Sequence, residues 1–506
     1  MRTAILALLI SVALLVAAAP DKPNRPISPV LQKLGPYIKR GMRKTGVPGV
    51  AVAVVYHDRV VYLEGFGIRK AGFQGEVNPD TVFQLASLSK PIASTIVAAL
   101  VSDNEVNWDD RIVDLDPGFE LSDPTVTQRV TIRDFLSHRS GLPTSSGDAL
   151  EDLGFTRPEI LHQMRLIPLA GPFRKSYHYS NFGYTEGAIA AAKAAHIDWE
   201  DLAEKRLFAP LEMNSSSYRY SDYVRRENKA AIHIIIDGKA VARYHRDPDA
   251  EAPAGAASSS VRDLSKWLRL QLADGRWEGQ SVVDADALNE TRRPEIQNGV
   301  NHETGKPTYY GMGWNVDRDA KGRLILSHSG AFFIGTGTTV KFSPSQHVGI
   351  IVLTNALPTG LAEATANTFF DLLNYGAPTQ DWLSIYSDAF KKMIEQGNNE
   401  TTDYSKLTPP SSPAPPKPLS AYTGTYCNDY YGRIEITEQQ GGLWMRLPDN
   451  GALYYLSHWD ADTFTYRFEA EQGIGARGVV FNLSGRPTVT IENLTVEGNG
   501  VFTRNN

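Results

Sequence analysis

The sequence predicts an α+β domain, with an antiparallel sheet flanked by helices, followed by a small all-β barrel. Three observations predict it. Helix-periodic stretches and β-rich runs are mixed through residues 25–380, and several strand runs fall late and close together, as in a sheet covered by helices. Pro409, Pro410, Pro413, Pro415, Pro416 and Pro418 then crowd a stretch that can pack neither as helix nor as sheet, so residues 381–419 read as a helix and a semi-rigid linker. Beyond it, residues 420–506 turn to short strands punctuated by glycine, the texture of a small antiparallel barrel.

The bulk numbers exclude several function classes. With 42 % hydrophobic and 21 % charged residues over 506 positions, the chain can bury a large core. A net charge of −6 is small for this length and argues against a nucleic-acid partner. The single cysteine, Cys427, rules out an internal disulfide and a metal site built on several thiolates. No His-Glu-x-x-His is present, so no metal and no cofactor is expected. Residues 1–18 read as a signal peptide: Arg2 precedes an apolar run, and Val16 and Ala18 satisfy the small-x-small cleavage rule. A secreted or periplasmic protein follows, with no stable membrane insertion after cleavage.

In chain order, residues 27–44 place Val30, Leu31, Leu34, Ile38 and Met42 on one helical face and a basic stripe on the other, and Gly46-Val47-Pro48-Gly49 ends that helix. Residues 50–56 and 60–65 are β-rich runs joined at His57-Asp58-Arg59 as a hairpin. A strand-like run at 83–85 gives way to an apolar helix reaching about residue 101. A further helix opens at 130–136 and is closed by Ser137-His138-Arg139-Ser140-Gly141-Leu142-Pro143. Residues 159–166 and 184–195 read as helical, and Ser258-Ser259-Ser260 supplies caps for another helix. Strands follow at 324–328, 338–342 and 348–354, then a helix at 361–373. After the linker come seven short strand runs: 422–426, 434–437, 443–447, 453–456, 463–468, 479–482 and 488–491.

Chemistry concentrates in three stretches. Ser87 and Lys90 lie three apart at the start of an apolar helix, so both side chains share one face. A serine becomes a nucleophile when a base is within reach, and a lysine becomes that base when burial or crowding lowers its pKa. Tyr179 can pass protons, and Asn181 offers a donor and an acceptor to a substrate amide. His328-Ser329-Gly330 ends a strand, where a glycine admits a ligand backbone to the strand edge. Each stretch alone also reads as ordinary structure: a capping serine with a solvated lysine, a turn, a strand-end histidine satisfied by a neighbour.

Together and in this order, Ser87-Leu88-Ser89-Lys90, Tyr179-Ser180-Asn181 and His328-Ser329-Gly330 resemble the penicillin-recognising serine hydrolases, most closely the class C β-lactamase and D-alanyl-D-alanine peptidase branch. The resemblance covers roughly Pro29 to Tyr375 and extends to His138-Arg139-Ser140-Gly141-Leu142-Pro143, Ala254-Gly255 before Ser258 to Trp267, Tyr310-Gly311-Met312-Gly313-Trp314 and Val348-Gly349-Ile350-Ile351-Val352-Leu353-Thr354-Asn355. It implies a β-lactamase/transpeptidase-like fold and an acyl-enzyme mechanism. Ser87 would attack a carbonyl, Lys90 and Tyr179 would share general-base duty, and the backbone N–H groups of Ser87 and Ala331 would form the oxyanion hole. Asn181, His328, Ser329 and Gly330 would bind substrate, a small peptide, amide or ester.

One departure bears on the substrate. The family's efficient β-lactamases carry a lysine where this chain has His328, and histidine is mostly neutral above about pH 6.5. The His-x-Gly version is similar to D-aminopeptidases, esterases and other amide hydrolases of the superfamily. The expected function is therefore an exported serine hydrolase of peptide amides or esters, with a class C-like β-lactamase or a non-catalytic penicillin-binding sensor as alternatives. Some such relatives carry a C-terminal lipocalin-like barrel, which residues 422–503 resemble. In the family that barrel approaches the active site or drives oligomerisation, so a homo-oligomer is one expectation.

Overall fold

The computed structural model describes residues 25–505 except 302, 400, 449, 450 and 472. The segment 1–18, expected from the sequence to be a signal peptide, lies outside the described residues. Among them, no helix is long and apolar enough to cross a membrane.

The first helix, α1 (Ile27–Thr45), buries Val30, Leu34 and Ile38, and ends where Gly46 turns left-handed (φ 76°) and donates its N–H to Met42 O at 2.9 Å. Strands β1 (Gly49–Tyr56) and β2 (Arg59–Gly67) form the expected hairpin. Helix α2 (Ser89–Ser102) runs through the interior, buried from Ser89 to Leu100. Helix α3 (Ile132–Leu136) opens on a capping box between Thr131 and Asp134. Helices α4 (Asp148–Leu153), α5 (Asn181–Ala194) and α6 (Val261–Leu272) complete the helical layer beside the site.

Six further strands complete the main sheet: β3 (Ile296–Val300), β4 (Pro307–Tyr310), β5 (Asn315–Arg318), β6 (Leu324–Phe332), β7 (Thr336–Ser343) and β8 (Val348–Thr354). The sheet runs β2-β1-β8-β7-β6-β5-β4-β3, antiparallel throughout. Helix α7 (Leu361–Asn374) packs on its far side with α1 and with α8 (Trp382–Asn399). Strands β3 to β5 escape the sequence reading because they form a polar edge: Gln297, Gly299 and Val300 of β3 are exposed, so no apolar alternation marks them.

Because side chains alternate across a sheet, the two faces bury different residues. On β1, Ala51, Ala53 and Val55 join the core under α2, α5 and α6, while Val50, Val52 and Val54 join the core against α1 and α7. The same division splits β8, with Ile351 and Leu353 to the front and Val348, Ile350 and Val352 to the back. A strand buried on both faces reads as a continuous apolar run, which is how 50–56 and 348–354 were legible.

The C-terminal unit is a closed barrel of β9 (Gly424–Asn428), β10 (Gly432–Gln439), β11 (Gly442–Arg446), β12 (Leu453–Asp460), β13 (Thr463–Ala470), β14 (Gly473–Asn482), β15 (Thr488–Ile491) and β16 (Val501–Arg504). The last strand closes it by pairing Tyr426 with Arg504 and Cys427 with Thr503. Tyr426, Ile434, Met445, Phe464, Tyr466 and Phe502 fill the interior. The proline-rich linker is not a free spacer. It lies along the barrel, with Ala414 N–H on Asp460 Oδ1 (2.7 Å) and Ala461 N–H on Ala414 O (2.9 Å).

Candidate active site

The stretch before α2 is held from several sides. Leu85 N–H donates to Ala257 O (2.8 Å), and Leu85 O accepts from Thr338 Oγ1 (2.7 Å). Ser89 Oγ donates to Ala86 O (2.6 Å), while Ser89 O and Lys90 O accept the hydroxyls of Tyr218 (2.8 Å) and Tyr184 (2.6 Å). These bonds hold Ala86 at φ 49°, a left-handed conformation that costs a non-glycine residue about 1 kcal/mol or more. Ser87 follows immediately on a 3-10 turn, half-buried, while Leu88, Ser89 and Lys90 are buried. The strained turn lifts one hydroxyl out of an otherwise enclosed segment.

Lys90 is fully buried, and its ammonium has three acceptors: Ser87 Oγ at 3.2 Å, Asn181 Oδ1 at 2.7 Å and Ala254 O at 3.1 Å. Burial pulls its pKa down to about 8, against the opposing pull of the Glu251, Asp148 and Glu151 carboxylates. A neutral amine keeps two N–H donors for Asn181 and Ala254 and turns its lone pair toward Ser87. The geometry therefore needs no rearrangement to take the serine proton.

Tyr179 hydrogen-bonds Ser87 through its phenol, and Lys90 Nζ sits 4.5 Å from the centre of its ring. The lysine thus lies over the ring face. Burial drives the phenol well above its ordinary pKa, so Tyr179 stands as a neutral hydroxyl. Tyr179 O accepts Ser145 N–H (3.1 Å), and the ring packs on His138 at 4.4 Å between centroids. Asn181 begins α5 behind its N-cap Ser180, whose Oγ accepts Gly183 N–H. Its amide lies between the lysine and Asp148, with Nδ2 3.3 Å and 3.4 Å from the two Asp148 carboxylate oxygens. Asn181 thus fixes the position of the Lys90 amine.

Strand β6 places His328, Ser329 and Gly330 in three different surroundings. His328 is 4 % exposed, its Nδ1–H donates to Ser329 O (2.7 Å), and its Nε2 accepts the Tyr310 hydroxyl (2.8 Å). Burial and the nearby Lys90 charge push its pKa down to about 3, so it is a neutral group within the wall and supplies no cation to a substrate. Ser329 points the other way, as strand alternation requires: its Oγ meets Thr339 Oγ1 (3.1 Å) and the Glu363 carboxyl on α7. Its side chain is turned away from Ser87. Gly330 faces the nucleophile turn, where a Cβ would lie 2.1 Å from Leu85 O and 2.8 Å from Leu88 N. The absence of a side chain lets the protein's own turn close onto this face of the strand. That contact places the Ser87 turn beside Ala331, which is half-buried and pairs with Gly337. Strand β5 pairs with β6 only over Leu324–Ser327, so the edge of β6 from His328 onward carries no strand on that side among the described residues.

Sequence reasoning missed His138, Tyr310 and Asp148. His138 is buried in a left-handed turn (φ 58°), accepts Ser180 N–H on Nδ1 (3.2 Å), and packs against Tyr179, Tyr184 and Tyr310. The turn is anchored by Asp134, which is buried and paired with Arg139 and Arg174. The motifs 137–143 and 310–314 carried the signal for the first two residues. Nothing local marks Asp148.

Comparisons with known proteins bear on the family and the fold. Residues 35–373 match the Beta-lactamase family, and residues 408–497 match a domain of unknown function (DUF3471). The chain is 26 % identical over 451 residues to the "Unguisins hydrolase ungD" of Aspergillus violaceofuscus, covering 83 % of this chain and 78 % of the relative. It is 23 % identical to the "Beta-lactamase-like protein 2" of Dictyostelium discoideum, covering 85 % and 78 %. It is 27 % identical over 315 residues to the "Penicillin-binding protein 4" of Amycolatopsis lactamdurans, covering 61 % and 81 %. In fold it is similar to the octameric penicillin-binding protein homologue from Pyrococcus abyssi, with a TM-score of 0.60 at 19 % identity over 90 % of this chain and 97 % of that one.

Proposed function

The chain belongs to the Beta-lactamase family, and from that membership we propose that it is a serine hydrolase cleaving a peptide amide or ester through an acyl-Ser87 intermediate. The observation that carries the proposal is the buried Lys90 amine 3.2 Å from the hydroxyl of half-buried Ser87. Neutral Lys90 takes the Ser87 proton as Oγ adds to the carbonyl carbon. The resulting ammonium keeps its bonds to Asn181 Oδ1 and Ala254 O, so its charge develops among prepared acceptors. The oxyanion is assigned to the N–H groups of Ser87 and Ala331. Tyr179 gives its phenolic proton to the leaving group and takes back the proton held on the Lys90 ammonium, which returns both groups to their neutral forms; water then releases the acyl chain by the reverse sequence.

A carboxylate-directed β-lactamase is disfavoured, because His328 is neutral and enclosed between Tyr310 and its own backbone. Retention of serine, lysine and tyrosine in contact supports an enzyme over a passive sensor, as does a relative named for hydrolysis of unguisins. Export belongs to the same proposal, supported by Arg2 and the apolar run behind it. The test is a panel of p-nitrophenyl esters, D- and L-aminoacyl amides and a β-lactam, with Ser87→Ala as blank. Turnover of an ester or amide that disappears in Ser87→Ala supports the reading. Turnover that survives in the variant, or confined to the β-lactam, overturns it.

A further inference from the structure

The barrel grips the two segments that flank the nucleophile, and it does so with carboxylates. Glu497, between β15 and β16, accepts the N–H of Gly147 and the N–H of Ala149 (2.6 Å), and the Tyr430 hydroxyl donates to it as well. Those two amides bracket Asp148, whose carboxylate is 6 % exposed and takes the Asn181 amide, which in turn takes Lys90 Nζ. The same segment holds Tyr179 through Ser145 N–H. Glu471, in the β13–β14 hairpin, accepts Phe333 N–H (2.5 Å), two residues beyond Ala331, and its own N–H donates to Asp152 Oδ1 (3.3 Å). Enclosing carboxylates at an interface costs free energy that an apolar contact would not, so their placement on these amides calls for a reason beyond adhesion.

We propose, on the footing of the Ser87–Lys90 reading above, that the barrel is a working part of the active site, with Glu497 positioning the general base and Glu471 positioning the oxyanion strand. Glu497 acts through three links: the 147–149 turn, Asp148 and Asn181. Glu471 acts through the turn after Ala331. Neither touches the reacting atoms, so both are positioning residues, and their effects separate. The charged groups facing Lys90 are Asp148 and Glu151 from α4 and Glu251 from the turn before Ala254, with Arg246 ion-paired to Glu151 and Glu251. His138, His328 and Tyr179 face it as neutral groups. Loosening the 147–149 turn withdraws Asp148 and the Asn181 acceptor, both of which favour the ammonium, so Lys90 becomes less basic.

The experiment is the pH profile of kcat and kcat/KM on a small activated ester, with the full chain throughout. Glu497→Ala should lower kcat about tenfold and move the alkaline-rising limb toward lower pH by half a unit or more. Tyr430→Phe should move it the same way by less, and Glu497→Gln, which keeps one acceptor oxygen, should recover part of both effects. Glu471→Ala should lower kcat with the limb unmoved. Glu469→Gln, which weakens only solvent-facing pairs with Arg243 and Arg467, should match the wild type. Where Glu497→Ala does not fold, Tyr430→Phe and Glu497→Gln decide. Folded Glu497 and Tyr430 variants with wild-type kcat and limb overturn the proposal while Ser87→Ala remains inactive. An active Ser87→Ala instead overturns the reading beneath it.

Discussion

The two faces of β6 carry nearly the same chemical groups and arrange them to opposite ends. On the front stand Ser87, Lys90, Asn181 and Tyr179. On the back stand Ser329, Lys341, Asn367 and Tyr386, with Glu363. Both lysines are enclosed, and burial lowers the pKa of each. The back lysine spends its amine on Asn367 Oδ1 (2.6 Å) and the face of Phe370, Asn367 passes to the Tyr386 hydroxyl, and Ser329 is occupied by Thr339 and Glu363. No strained turn lifts its serine. The front lysine shares a 3.2 Å contact with a hydroxyl that Ala86 has turned out of the core. Burial alone yields a satisfied polar cluster. On the reading proposed above, burial beside a hydroxyl held in a costly backbone conformation makes the cluster reactive.

The largest expected break in that comparison comes from the lysines themselves. Lys90→Ala should lower kcat on an activated ester on the order of 10³-fold, whereas Lys341→Ala should leave it within about threefold, so equal losses would erase the distinction. Next come the neighbouring positions of one strand. Gly330→Ala drives a methyl into Leu85 O and should cost about 1–3 kcal/mol in denaturant titration, with kcat down roughly 10²-fold as Ser87 is displaced. Ser329→Ala should cost about 1 kcal/mol and leave kcat within about twofold. A large activity loss there would return Ser329 to the substrate.

The pH dependence sharpens the comparison further. Lys90 must be neutral to act, and burial sets its pKa at about 8. As pH falls through that value the amine takes a proton and the base is lost, so log kcat/KM should fall with a slope of about one below it. A flat profile from pH 6 to 9 would exclude lysine as the base. The smallest effect belongs to the wall. Tyr310→Phe removes the donor on His328 Nε2 and should cost about 1 kcal/mol of stability and a few-fold in kcat, measured at saturating ester.

The legibility of this molecule follows the range of its interactions. Ser87 and Lys90 were legible because three-residue helical spacing is local, and β1 and β8 because burial on both faces writes an unbroken apolar run. Strands β3 to β5 were not, since an edge strand carrying Gln297 and Asn298 has no pattern to read. The side-chain surroundings of His328, Ser329 and Gly330 were not legible for one reason: strand alternation sends alternate side chains to opposite faces, and the sequence does not say which face holds Ser87. Asp148 and Glu497 act across 33 and 350 positions from their partners, beyond any local signal. The proline run foretold a semi-rigid connector but not its bonds to Asp460, which come from barrel surface assembled elsewhere.

The central claim is that Ser87, deprotonated by neutral Lys90, forms the covalent intermediate. It is tested most directly by trapping the enzyme with a fluorophosphonate, mapping the adduct by peptide mass spectrometry, and following the labelling rate against pH. A single adduct on Ser87, forming faster as pH rises through about 8 and absent in Ser87→Ala, is the expected result. An adduct on another residue, or labelling of Ser87 at a rate indifferent to both pH and Lys90→Ala, would contradict it.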